Sequence, residues 1–160
     1  MELKPQLKRI LEDVLVNYKH IFLVDIHQHQ NEFEFTLDGD QLLGIHDISS
    51  ISRQFNKIAD ELLPEAEYSV DIATPGADSP LKLFRQYPKH VGREFQVTLN
   101  TDNQSFNGKL VAVEEPFLTF EFYKVEKPKK KDLPEQIKLT IDQIKQAQII
   151  LSFKWHHNKF

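Results

Sequence analysis

Leu3, Leu7, Ile10, Leu11, Val14 and Leu15 recur at three- and four-residue spacing, with Lys8, Arg9, Glu12 and Asp13 between them. This spacing predicts an amphipathic helix of about four turns. The run Ile21-Phe22-Leu23-Val24-Asp25-Ile26 is apolar on both faces, whereas Phe33, Phe35 and Leu37 alternate with Glu32, Glu34, Thr36 and Asp38. The first reads as the more buried strand and the second as half-exposed, with a hairpin closed at Gln28–Asn31 and the second strand ended by Asp38-Gly39. Ile48, Ile51, Phe55, Ile58, Ala59 and Leu62 mark a second helix with Asp47 as its N-cap, and Pro64 stops it. Tyr68, Val70 and Ile72 alternate with Ser69 and Asp71 in a third strand. The predicted order is helix, strand, strand, helix, strand, which makes an α+β layer with both helices on one side of a sheet.

That third strand runs into Ala73-Thr74-Pro75-Gly76-Ala77-Asp78-Ser79-Pro80-Leu81, the sharpest punctuation in the chain. Pro75-Gly76 fits the centre of a type II turn, and Pro80 forces Ser79 into an extended conformation. A short helical connector is expected from Leu81 to Tyr87, closed by Pro88. Beyond it the period changes to two. Phe95, Val97 and Leu99 share a face, as do Leu118, Phe120 and Phe122, then Ile137, Leu139 and Ile141, and then Ala147, Ile149, Leu151 and Phe153. Phe106 to Val113 supplies a further strand, and one tight turn is expected between Thr140 and Ile144. Five short strands favour a small barrel, because closure removes most exposed sheet edge.

The length of 160 residues suits one ordinary domain or two small ones. With no cysteine, disulfides and thiolate metal sites are excluded and a reducing compartment is the default. No apolar run reaches the length of a membrane span and no signal-peptide core is visible, so a soluble cytoplasmic protein is expected. The net charge of −4 hides an asymmetry: residues 1–88 carry 8 Lys+Arg against 15 Asp+Glu, and residues 89–160 carry 12 against 9. A domain boundary at residue 88 would separate an acidic half, suited to a basic protein surface, from a basic half suited to phosphate.

The segment Ala73 to Leu81 resembles the signature of the ribosome maturation factor RimP family, Ser-Ser-Pro-Gly-Leu-Asp-Arg-Pro-Leu. Pro75, Gly76, Asp78, Pro80 and Leu81 match it, whereas Ala73-Thr74 replaces the two serines and Ser79 stands where the family usually has arginine. A phosphate or acidic group bound by that arginine would have no counterpart ligand in Ser79. Val91-Gly92-Arg93-Glu94 looks like the start of the family's second domain, Asn107-Gly108-Lys109-Leu110 like its glycine-containing barrel strand, and Ile141 to Phe153 like its closing segment. Ile48 falls near a position where many relatives have cysteine. The resemblance implies a KH-like N-terminal α-β-β-α-β layer followed by a small all-β SH3-like or Sm-like barrel. It also implies a bacterial, non-enzymatic factor that assembles the small ribosomal subunit by transient binding to the immature particle. Its implied partners are ribosomal protein twelve of the small subunit and small-subunit rRNA, with no cofactor, membrane or small-molecule substrate.

Lys127, Lys129, Lys130 and Lys131, on the loop before the Ile137 strand, are the candidates for phosphate contact. Asp25, His27 and His29 could face one side of a strand, but three ligands at one strand end lack the convergent partner of a closed metal site. Trp155 could stack on a base, and His156-His157 reads as tail. No Gly-rich phosphate loop, nucleophile elbow or Ser-His-Asp arrangement is present, and no catalytic residue is assigned. The rival reading is a general RNA-binding or protein-interaction module unrelated to ribosome assembly.

Overall fold

Helix α1 spans Leu3–Leu15, with Pro5 in its first turn, where a backbone N–H has no intrahelical partner to lose. The computed structural model describes residues 2–124 and 128–151. Strands β1 (Ile21–His29) and β2 (Glu32–Gly39) come next, then helix α2 (Ile45–Leu62) and strand β3 (Ser69–Ala73). β1 and β2 are antiparallel across the two-residue turn Gln30-Asn31, whereas β2 and β3 are parallel because α2 carries the chain back between them. The sheet order is therefore β1-β2-β3.

Both helices cover one face of this sheet. Leu7, Ile10, Leu11 and Val14 from α1, and Ile51, Phe55 and Ala59 from α2, bury against Phe33, Phe35 and Leu37 of β2. The Phe35 and Phe55 rings meet at 6.0 Å between centroids. Each such side chain contributes about 1.5–3 kcal/mol by leaving water. A polar tie joins the end of α1 to α2. Tyr18 Oη and Ser50 Oγ share a hydrogen bond of 2.7 Å, and Gln54 Nε2 donates to both oxygens at 2.8 and 3.1 Å.

Three expectations are corrected in this unit. β2, not β1, is the more buried strand: β2 is central, while β1 is an edge strand whose last three residues are exposed. Gly44, not Asp47, is the N-cap of α2, because the Asp47 and Ile48 N–H groups donate to the Gly44 carbonyl. Asp47 lies in the first turn, where its charge complements the helix dipole. Leu62 is 64% exposed, and Leu63, turned inward at the end of the helix, packs on the core instead.

The second compact unit begins at Gly76, so the boundary falls at Pro75/Gly76 and not at residue 88. The connector packs with the strands beyond it because Tyr87 is wholly buried in the second core. It holds two 3₁₀ turns, Phe84–Gln86 and Pro88–His90, and Pro88 opens the second turn where the sequence suggested a stop. Strands β4 (Glu94–Leu99), β5 (Ser105–Glu114), β6 (Phe117–Phe122), β7 (Glu135–Thr140) and β8 (Ile144–Ile149) form an antiparallel sheet ordered β7-β6-β5-β4-β8. A 3₁₀ turn at Ile141–Gln143 joins the last two strands. The last strand returns to pair with the first, the strand order expected of an SH3-like barrel. Phe153, assigned from sequence to the last strand's face, lies outside the described residues.

Phe95, Val97, Leu110, Leu118, Phe120, Leu139, Ala147 and Ile149 fill this core with Tyr87. Tyr87 stacks on Phe95 at 5.8 Å, and Phe95 meets Phe120 edge-on at 5.7 Å. Tyr87 Oη is buried with no hydrogen-bond partner among the described residues. An unmatched buried hydroxyl costs about 1–3 kcal/mol, so Tyr87→Phe is expected to raise the unfolding free energy by about 1 kcal/mol in chemical denaturation. A clear loss of stability would mean that the hydroxyl is matched. Burial also raises the Tyr87 pKa above its ordinary 10.0. The unfolded phenol therefore ionises first, so stability is full below pH 10 and is lost as pH rises toward the folded value. Tyr87→Phe should remove that part of the alkaline loss.

Candidate functional site

The chain leaves β3 at Ala73, and Pro75 is the last residue of the first unit. Gly76 does not adopt the left-handed backbone of a type II turn; among the described residues Gly92 is the glycine with positive φ. The tight turn lies two residues later, with Ala77-Asp78 at its centre and the Ser79 N–H donating to the Gly76 carbonyl at 3.1 Å. A Cβ at Gly76 would lie 3.0 Å from Ser79 Oγ, so a side chain there would require the serine hydroxyl to shift. Asp78 is on this turn and Pro80 follows it, both exposed, Ser79 between them is half-buried, and Leu81 packs against the second core.

The turn is anchored at its far end. The Leu81 N–H donates to the Ala147 carbonyl of β8 at 2.8 Å. Farther along, buried Gln86 turns its Oε1 back to accept the N–H groups of Lys82 (2.7 Å) and Leu83 (2.9 Å). One side chain thus satisfies two backbone donors of a segment that has neither helix nor sheet partners for them.

The lysines lie on the long connection between β6 and β7. Lys129-Lys130-Lys131-Asp132 forms a closed turn: Asp132 N–H donates to the Lys129 carbonyl at 2.9 Å, and Lys129 N–H donates to Asp132 Oδ2 at 2.7 Å. Lys129, Lys130 and Lys131 are all exposed on it. Lys127 lies outside the described residues, as do Trp155, His156 and His157. Asp25 and His27 make a contact of 3.1 Å between Oδ2 and Nε2, and His29 sits two residues on, across from Glu32. Among the described residues no group of three or more His, Asp or Glu could hold a metal, and no helix is long and apolar enough to cross a membrane.

One feature was not identified from the sequence. On the outer face of the second sheet, Gln96 of β4 stands in register with Asn107 of β5 and Gln148 of β8. The next row adds Thr98 with Ser105, whose hydroxyls are 2.9 Å apart, and Gln146, whose Nε2 donates to Gln148 Oε1 at 2.9 Å. Gln96 and Asn107 floor two grooves. One, of about 430 Å³, is bounded by Asp78 and β8; the other, of about 640 Å³, is bounded by Glu94, Phe106, Phe122, Tyr123, Lys124 and Pro128. The structure thus puts the Asp78 turn on the β8 side of the carboxamide pair and the approach to the lysine turn on the other. The signal in the sequence was the repeated Gln or Asn at outward strand positions of a chain in which 28% of residues are charged.

No protein-family model matches the chain. Its relatives include the ribosome maturation factor RimP of Flavobacterium psychrophilum, 30% identical over 158 residues that cover 96% of this chain and 100% of that protein. The ribosome maturation factor RimP of Porphyromonas gingivalis is 31% identical over 153 residues, 92% of this chain and 98% of its own. That of Cytophaga hutchinsonii is 28% identical over 162 residues, covering 93% and 96%.

Gln86→Leu keeps the side chain's approximate size but leaves the Lys82 and Leu83 donors without this acceptor. The expected cost is about 2 kcal/mol of unfolding free energy, with faster amide exchange at Lys82 and Leu83. Unchanged exchange at both amides would show that Gln86 does not hold the segment.

Proposed function

The chain belongs to the ribosome maturation factor RimP family, and on that premise we propose that it promotes small-subunit maturation by transient, non-catalytic binding to the immature particle in the cytoplasm. The observation that carries this reading is the relationship along 96% of the chain to a protein named as a ribosome maturation factor. The partners proposed are small-subunit rRNA and ribosomal protein twelve of the small subunit.

The charge distribution supports two kinds of partner. Divided at the structural boundary, residues 1–75 hold 6 Lys+Arg against 14 Asp+Glu, and residues 76–160 hold 14 against 10, balances of −8 and +4. An acidic unit favours a basic protein surface, and a basic unit favours phosphate. We assign Lys129, Lys130 and Lys131 to phosphate contact. The family motif residues Pro75, Gly76, Asp78, Pro80 and Leu81 serve as the contact turn toward the particle.

Binding energy performs the work. A factor that binds a productive intermediate more tightly than the finished subunit raises the population of that intermediate and then leaves. A shift from 1:99 to 99:1 requires about 10⁴-fold preference, so a factor that must also dissociate works with less than this and gains from dispersed, salt-sensitive contacts.

Co-sedimentation with immature small subunits, mature subunits and whole ribosomes is the test. Retention is expected preferentially on immature small subunits and should fall as salt rises; equal absence from all three would overturn the reading. Replacing Lys129, Lys130 and Lys131 together by alanine should flatten the slope of log affinity against log salt by about 2, since each phosphate contact contributes about 0.7–0.9. An unchanged slope would remove these lysines from the interface.

A further inference from the structure

We propose that the outer face of β4 and β5, from the Gln96–Asn107 pair to Tyr123, is a binding groove for unpaired RNA bases. The proposal rests on the maturation reading and deepens it by naming the form of RNA recognised. Its basis is the juxtaposition of three chemistries in a single groove of about 640 Å³.

The first is aromatic. Tyr123 is 45% exposed at the groove wall and is the ring open to a base. Phe106 and Phe122, whose rings lie 5.3 Å apart, edge the groove from the core side, where Phe106 meets buried Phe120 at 6.0 Å. Phe106 reaches this position because residue 108 is glycine: a Cβ there would lie 3.0 Å from the Phe106 ring and 3.2 Å from the Glu121 carbonyl. Every base has a face that stacks on an open ring such as that of Tyr123.

The second is the carboxamide floor. Gln96 and Asn107 each offer a donor and an acceptor side by side, the pattern that meets the hydrogen-bonding edge of a base. No charge on either residue has to be desolvated when a base covers it. Base edges are free for such pairing only where a strand is unpaired, so the groove selects single strands over duplex RNA.

The third is charge. The groove wall at Pro128 runs directly into the Lys129-Lys130-Lys131 turn, which Asp132 holds closed. Lys124, also on the wall, already faces Glu135 at 3.2 Å, and Glu94 adds a carboxylate at the β4 end of the groove. The attraction for phosphate therefore comes from the turn lysines, and the phosphates lie at the lysine end, away from Glu94. Three adjacent lysines favour a polyanion and disfavour a basic peptide, which decides between the two extended chains that could lie on this face.

The test uses the full-length protein and fluorescently labelled oligoribonucleotides, single-stranded and duplex, monitored by anisotropy at two salt concentrations. Single strands are expected to bind more tightly than duplex of the same length. Tyr123→Ala should weaken single-strand binding about tenfold while leaving its salt slope unchanged, and Tyr123→Phe should restore it. Asn107→Leu should also weaken it, whereas the triple lysine variant should lower the slope. Tyr123 is exposed, so its substitution is expected to leave the thermal unfolding midpoint within a few degrees of the parent, which separates loss of binding from loss of fold. Duplex binding equal to single-strand binding overturns the proposal, as does parental affinity in Tyr123→Ala. Capture of a lysine-rich peptide in place of RNA also overturns it. If immature subunits still retain the protein and no oligonucleotide binds, the groove assignment alone fails. If both are lost, the maturation reading fails with it.

Discussion

The register of β4 is the constraint on which the second unit depends. β4 pairs with β5 on one side and β8 on the other, so its alternation sets two surfaces at once. Phe95 and Val97 point into the core, where both are wholly buried, and Gln96 between them points out in line with Asn107 and Gln148. A slip of one residue would expose the two apolar side chains and bury the carboxamide. Core stability therefore selects the same register that assembles the outer groove, and the polar row needs no separate device to align it.

The connector depends on this strand as well. Tyr87 stacks on Phe95, and Leu81 donates to Ala147, which pairs with Val97. Between these two attachments Gln86 accepts two backbone N–H groups from the intervening turn. The segment from Gly76 onward is thus built on the β4–β8 pair, although much of it has no regular secondary structure. Local hydrogen bonding from a buried amide replaces the ladder that a strand would have supplied.

Much of this was legible in the pattern of apolar positions. Both helices, the three strands of the first sheet and the five strands of the second arise from periods of 3.6 and 2, because burial of one face is what the pattern records. What periodicity cannot record is order within a sheet. Ile21 to Ile26 is richer in apolar residues than β2, yet β2 is central, since α2 returns the chain to β2's free side. Pro75-Gly76 carries the composition of a type II turn, but the local sequence did not disclose that Ser79 would close onto Gly76 and shift the turn by two residues. The boundary at Pro75 was hidden for a related reason: Tyr87 belongs to the second core through contacts with residues far along the chain. Among the site residues, the lysines were found by composition, whereas the Gln96–Asn107–Gln148 row exists only after three strands have paired.

The boundary also changes the meaning of the charge. Placed at residue 88 it gave −7 and +3; placed at Pro75 it gives −8 and +4, because Asp78, Lys82 and Arg85 pass to the second unit. On that unit the charges do not fill the outer face of the sheet evenly. Glu94, Lys109 and Glu121 form one row across β4, β5 and β6, and the neighbouring row of Gln96 and Asn107 is uncharged. Alternation of opposite charges in the first row limits net attraction there. Long-range attraction then falls to the exposed lysine turn, while the uncharged floor contributes short-range hydrogen bonding. Such a division suits a transient partner: salt-sensitive encounter is set by a few exposed cations, and discrimination is set by groups that act only at contact distance.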